Sequence, residues 1–176
     1  RGLGDVYKRQ SIQLAIGDAL AVAALKKKQF SKYDFSRLHP GGSLGKQLKT
    51  VGDIMATGIK IPFISENKNM KEAIKIISNK KLGVVIVRNR NKITTGIITD
   101  GNIRKLRERN VDFQKTSVKD VMTKNPITIS SETLAIKALR IMNEKKITSL
   151  CVFKGNISNK TTGLIHIHHI LETNIE

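Results

Sequence analysis

The alternation of apolar and polar positions divides the chain into one long helical stripe and a pattern that then occurs twice. From Ser11 to Lys28 apolar residues recur at Ile12, Ile16, Ala19, Leu20 and Ala23, the three-to-four spacing of one helix face. The alanines and Gly17 permit close approach of another element, and Lys26, Lys27 and Lys28 suit the negative end of the helix dipole. Past residue 50 a cycle begins with an extended piece, Ile61–Ile64, and a helix with Met70, Ile74 and Ile77 on one face and Ala73 beside them. Asn69 followed by Glu72 has the polarity of a capping box for that helix. A β-branched run, Val84–Val87, a polar turn, a strand Thr95–Thr99 and a closing helix from about Asp100 to Arg109 complete it. The second cycle has Pro126–Ile129, a helix with Leu134, Ala138, Ile141 and Met142 on one face, Leu150–Phe153, Thr162–His166 and a closing helix from about His166 to Glu172. Ser130 and Ser131 are the candidate caps of its first helix.

The two cycles are also alike letter by letter. Val51-Gly-Asp-Ile-Met55 recurs as Val118-Lys-Asp-Val-Met122, and Gly96-Ile-Ile-Thr99 as Gly163-Leu-Ile-His166, both at an offset of 67 positions. Between them Ala73-Ile-Lys matches Ala138-Leu-Arg, and Lys80-Lys-Leu matches Lys145-Lys-Ile, with small length changes absorbed in loops. Each copy is a β-α-β-β-α unit whose apolar sheet face its two helices do not seal, so two copies packed sheet to sheet are expected. The fold class that follows is α+β.

Composition narrows the partners. Apolar residues make up 39% of the chain and 13 glycines add to them, enough for a packed core rather than wholesale disorder. Apolar runs such as Leu82–Val87 fall far short of the ~20 residues of a membrane span, so no membrane partner is expected. The single Cys151 excludes an internal disulfide framework and a multi-cysteine zinc site, and its apolar surroundings make it a small core residue. Arg1–Gln10 lacks the layout of a secretory signal and fits nothing downstream in pattern, so it is assigned no fold. The Ser11–Lys28 stripe needs a covering partner, so more protein is expected ahead of it. A net charge of +18 favours anionic partners. Nucleic acid is not the expected one: the charge is spread, five Phe and two Tyr supply no base-stacking pair, and no zinc-finger or RNP-type spacing occurs. The densest cluster, Arg88, Arg90 and Lys92 with Arg104, Lys105, Arg107 and Arg109, reads as a solvated turn and helix face.

Four histidines are the candidate chemistry. His166, His168 and His169 resemble a metal tract, but no carboxylate or cysteine falls at ligand spacing, so the reading is a strand-to-helix junction able to meet an anion and no metal is expected. His39 lies in Leu38-His-Pro-Gly-Gly-Ser-Leu-Gly-Lys46. A phosphate-binding P-loop would need Gly at Pro40 and Ser or Thr at Gln47, so that motif is rejected, although Gly41 and Gly42 still offer backbone N–H groups to an anion.

The duplicated unit resembles a tandem CBS-domain pair over about Val51–Ile175, carried by Asp53-Ile-Met55, Asp120-Val-Met122, Gly96-Ile-Ile-Thr99 and Gly163-Leu-Ile-His166. That resemblance implies a regulatory sensor whose cleft takes an adenosine nucleotide, with Thr99, Asn102, His166 and His169 as the cleft ligands. The family places an acidic residue three positions after its Thr or Ser to hold the ribose hydroxyls, and here Asn102 and His169 stand there. The missing carboxylate removes a charge-assisted acceptor, which argues against standard AMP or ATP sensing. Farther upstream, Gly17-Asp-Ala-Leu-Ala21, Phe35–Gly45 with its His-Pro-Gly-Gly, and Val51–Met55 resemble the junction of arabinose-5-phosphate isomerases, in which a sugar-isomerase (SIS) domain precedes the CBS pair. The resemblance implies residues 1–48 as the end of a truncated α/β SIS domain, 49–112 as the first CBS repeat and 113–176 as the second. It implies a cytoplasmic homotetrameric parent that interconverts D-ribulose 5-phosphate and D-arabinose 5-phosphate for the Kdo sugar of lipopolysaccharide. His39 would be a catalytic group, no cofactor would be needed, and a nucleotide or sugar nucleotide would regulate through the CBS pair. This chain on its own is expected to be inactive. The competing reading is a stand-alone CBS-pair sensor.

Overall fold

The computed structural model describes residues 3–31, 34, 38, 48–155 and 160–173. It divides into two units, Arg1–Gly45 and Lys46–Glu176. In the first, helix α1 runs Leu3–Lys27 with two lysines in its last turn. It begins well before Ser11, where the sequence pattern assigns no fold, because nothing between Asp5 and Gln10 breaks a helix. Its apolar residues are exposed within this unit, Leu14 and Leu20 by 69% and 66%. None of the described helices is long and apolar enough to cross a membrane.

In the second unit both cycles form as their periodicity predicts. The first has β2 (Phe63–Ser65), α3 (Met70–Lys80), β3 (Val84–Arg88), β4 (Thr94–Thr99) and α4 (Asp100–Glu108). The second has β6 (Thr128–Ser130), α6 (Ala135–Lys145), β7 (Ser149–Phe153), β8 (Gly163–His166) and α7 (Ile167–Leu171). Each is preceded by a short arm: α2 (Val51–Ile54) with β1 (Ala56–Thr57), and α5 (Val118–Val121) with β5 (Thr123–Lys124). The arms are exchanged. One sheet has the order β2-β3-β4-β5 and the other β1-β8-β7-β6, so each repeat's arm supplies the edge strand of the other repeat's sheet. Each arm thus belongs to one repeat along the chain and to the other in space.

The cores follow the exchange. Val51 is fully buried with Ile129, Met142, Leu150 and Ile165 of the second repeat, and Val118 with Ile64, Met70, Val85 and Ile98 of the first. Each such valine contributes about 1.5–3 kcal/mol on burial. Between the sheets lie Ile61, Val84 and Ile86 against Cys151 and Leu164, the expected sheet-to-sheet contact. Thr94 and Thr161, equivalent by the 67-residue offset, share a hydroxyl–hydroxyl bond of 2.8 Å across that seam.

The helix caps are crossed as well. Asn69 accepts from the Glu72 N–H at 3.1 Å as expected, but the Glu72 carboxylate pairs with Lys68 at 2.8 Å rather than closing the box. For α6 the expected serine cap is replaced. The capping position is Leu134, whose side chain makes no cap bond. The first backbone N–H groups turn instead to the other repeat's arm: Ala135 donates to the Lys49 carbonyl at 2.8 Å, as Met70 donates to the Thr116 carbonyl at 3.0 Å in the counterpart.

Candidate functional site

The recurring glycines decide how the arms seat. A Cβ on Gly96 would lie 2.8 Å from both the Met122 sulfur and the Thr123 carbonyl, and one on Gly163 would overlap the Met55 side chain. Each repeat's methionine thus occupies the space left by the other repeat's glycine. This close approach carries the Thr123–Ile127 segment up to the ends of β4 and β8, where a cleft of about 630 Å³ opens.

Equivalent pieces of the two repeats line that cleft. The first contributes Lys81, Leu82, Gly83, Thr99, Asp100 and Gly101; the second contributes Lys146–Ser149 and His166–His168. Two matching bonds hold the walls, Asp100 N–H to the Gly83 carbonyl at 3.1 Å and Ile167 N–H to the Thr148 carbonyl at 2.8 Å. Gly83 has φ +62 and a Cβ there would sit 2.9 Å from the Asp100 carboxylate, so the turn requires glycine. The volume fits a metabolite-sized ligand. Lys81 and Lys146 outnumber Asp100, the one carboxylate among the described lining residues, which suits the cleft to an anion.

Of the sequence-predicted ligands, Thr99 and His166 line the cleft, and Asn102 and His169 fold back onto their own helix starts. The Thr99 N–H and hydroxyl both donate to the Asn102 side-chain oxygen at 2.9 Å, and the Asn102 amide reaches the Thr123 hydroxyl at 3.3 Å. In the second repeat the His166 N–H donates to His169 Nδ1 at 3.4 Å, and the His168 N–H to His166 Nδ1 at 3.2 Å. Burial chiefly lowers the pKa of His166, which is 7% exposed, and the nearby His168 and His169 lower it further. Burial also lowers His169; Glu172 pulls the other way, while His168 and Lys60 add to the lowering. Among the described residues no group of histidine, cysteine and carboxylate side chains is placed to hold a metal ion. His39 lies outside the described residues. Lys81 and Lys146 are the cationic lining residues that the sequence reading does not include. Their recurrence was visible in Lys80-Lys-Leu and Lys145-Lys-Ile, but their left-handed backbone, φ 55 and 53, which ends each helix beside the cleft, was not.

The CBS-domain profile matches residues 51–109 and 118–176. The chain is 37% identical over 163 residues to arabinose 5-phosphate isomerase KdsD of Escherichia coli K12, covering 92% of this chain and 49% of that protein. It is 36% identical to the protein of the same name from Yersinia pestis, with the same coverage. The chain thus spans about half the length of the curated relatives it matches. In fold it is similar to a conserved protein of Pyrococcus horikoshii, with TM-score 0.64 and 21% identity over 74% of this chain and 95% of that one. It is likewise similar to the CBS-pair protein CBSX2 in complex with AMP, with TM-score 0.61 and 21% identity over 72% of this chain and 96% of that one.

Proposed function

This chain belongs to the CBS-domain family, with two copies in tandem, and from that premise we propose that it is the carboxyl-terminal part of an arabinose-5-phosphate isomerase whose CBS pair is regulatory. One observation carries the proposal: identity of 36–37% extends over 163 residues, well beyond the two matched CBS segments and into the chain before residue 51. A shared CBS pair would account for the repeats but not for the upstream likeness.

The reaction proposed for the whole protein moves one proton between neighbouring carbons. A base takes a proton from C1 of D-ribulose 5-phosphate, giving an enediol; return of a proton to C2, with transfer between the two oxygens, leaves the aldehyde of D-arabinose 5-phosphate. Groups that titrate near neutrality suit both transfers. His39, in the His-Pro-Gly-Gly sequence, is assigned to this proton traffic or to opening the sugar ring. The cleft between the repeats, with its excess of cationic side chains, takes an anionic nucleotide or sugar nucleotide as regulator. A cytoplasmic homotetramer is the proposed setting.

The full-length protein should interconvert the two pentose phosphates, and His39→Ala should lower its turnover by about 10²–10⁴-fold, the range of a lost acid–base group. Normal turnover in that variant removes His39 from the chemistry. A full-length protein that binds nucleotide tightly and isomerises neither sugar would make the CBS pair a stand-alone sensor instead.

A further inference from the structure

The two closing helices begin in the same way with different chemistry. In the first repeat the residue at the helix start and the residue three positions on are Thr99 and Asn102; in the second they are His166 and His169. Both pairs form a capping box in which the later side chain accepts the backbone N–H of the earlier residue. The amide oxygen of Asn102 accepts at any ordinary pH. An imidazole nitrogen accepts only while it carries no proton, since the charged ring is a donor at both nitrogens.

We propose that the second repeat carries a proton-operated helix cap: neutral His166 and His169 hold α7 in place, mild acidification releases it, and the Thr99–Asn102 pair keeps α4 indifferent to the same change. Protonating Nδ1 of His169 would set a donor against the His166 N–H, and protonating Nδ1 of His166 would set one against the His168 N–H. The surroundings oppose charging the rings in place. The His166 and His168 ring centres lie 5.0 Å apart, and those of His166 and His169 lie 6.2 Å apart. Lys60, from the turn after β1, acts on His169, with Glu172 as the counteracting carboxylate. His166 shares the cleft with Lys146 at the end of α6, with Lys81, and with Asp100 across the opening. Adding protons to so cationic a corner favours opening of the cap over charging it closed. The consequence reaches the other repeat, because β8, which ends at His166, pairs through Leu164 and Gly163 with Ala56 and Thr57 of the exchanged arm.

Both rings titrate below the usual imidazole value, so the unfolded chain takes up the proton first as pH falls. The stabilisation is therefore complete above about pH 6.5 and fades as pH drops from there toward the lower folded values, at most about tenfold in the opening equilibrium per unit of pKa difference.

The test is amide hydrogen exchange on the 176-residue chain between neutral and mildly acidic pH, corrected for intrinsic exchange. Protection in α7 should fall with pH while that in α4 holds, and the double variant His166→Thr/His169→Asn, which copies the first repeat's cap, should abolish the difference. Parallel behaviour of the two helices in the native chain, or an unchanged pH response in the variant, would overturn the proposal. Nitrogen-15 chemical shifts of the native histidines provide an arm independent of whether the variant folds. Bare Nδ1 on His166 and His169 at neutral pH is the expected result, and a proton on Nδ1 of either refutes the cap.

Discussion

Gly96 and Gly163 occupy equivalent positions, yet their surroundings forecast unequal tolerance. A methyl group on Gly96 meets the backbone carbonyl of Thr123 as well as the Met122 sulfur, whereas on Gly163 the atoms it meets belong to the flexible side chain of Met55. Gly96→Ala should therefore cost about 1–3 kcal/mol, the usual penalty of overpacking, and Gly163→Ala distinctly less. Urea melts of the two variants give the comparison, and a reversed order would contradict this account of the seam. All four residues were legible in the sequence as recurring letters. Their meeting across the repeats was not, because periodicity describes one element and carries nothing about which distant segment lies against it. Cys151 was legible from its apolar neighbours: it is buried between the sheets, and burial pushes its thiol up to about 11 against a smaller opposing effect of the Thr161 bond.

At the scale of elements, α3 and α6 followed their spacing of three to four because one face of each is buried by its own repeat, while β3 and β7 read as continuous apolar runs because both of their faces are buried, one of them against the other repeat. The ends were less legible. The start of α6 is held by the Lys49 carbonyl, which lies far from it in the chain, so local serines gave the wrong cap. Among the cleft residues, Thr99 and His166 were found through the repeat, while Asn102 and His169 proved to be committed to capping. Helices α3 and α6 both end on a lysine in the left-handed conformation, a place that favours glycine by about 1 kcal/mol. Lys146→Gly should accordingly raise stability by roughly that amount and weaken binding of an anionic nucleotide in the cleft. Denaturant melts together with calorimetric titration of AMP measure both effects. Greater stability with unaltered AMP affinity would take the lysine out of ligand recognition.

For the CBS pair as a whole, the exchanged arms make neither repeat complete by itself. Residues 49–112 produced separately would lack the strand Thr123–Lys124 and the buried Val118, and residues 113–176 would lack Ala56–Thr57 and Val51. Each half is expected to be largely unfolded in isolation, and an equimolar mixture should recover a single cooperative transition by circular dichroism. A sharp melt from either half alone would show that the exchange is dispensable. The hydroxyl bond from Thr94 to Thr161 marks the point where the two halves face each other as equals. A lone copy meeting its twin in this manner would form a closed, self-limiting dimer by swapping leading segments. Tethering the two within one polypeptide lifts the demand that both sides stay identical. One side is then free to become responsive while the other stays constant, a division of labour that a symmetric pair of identical chains could not sustain.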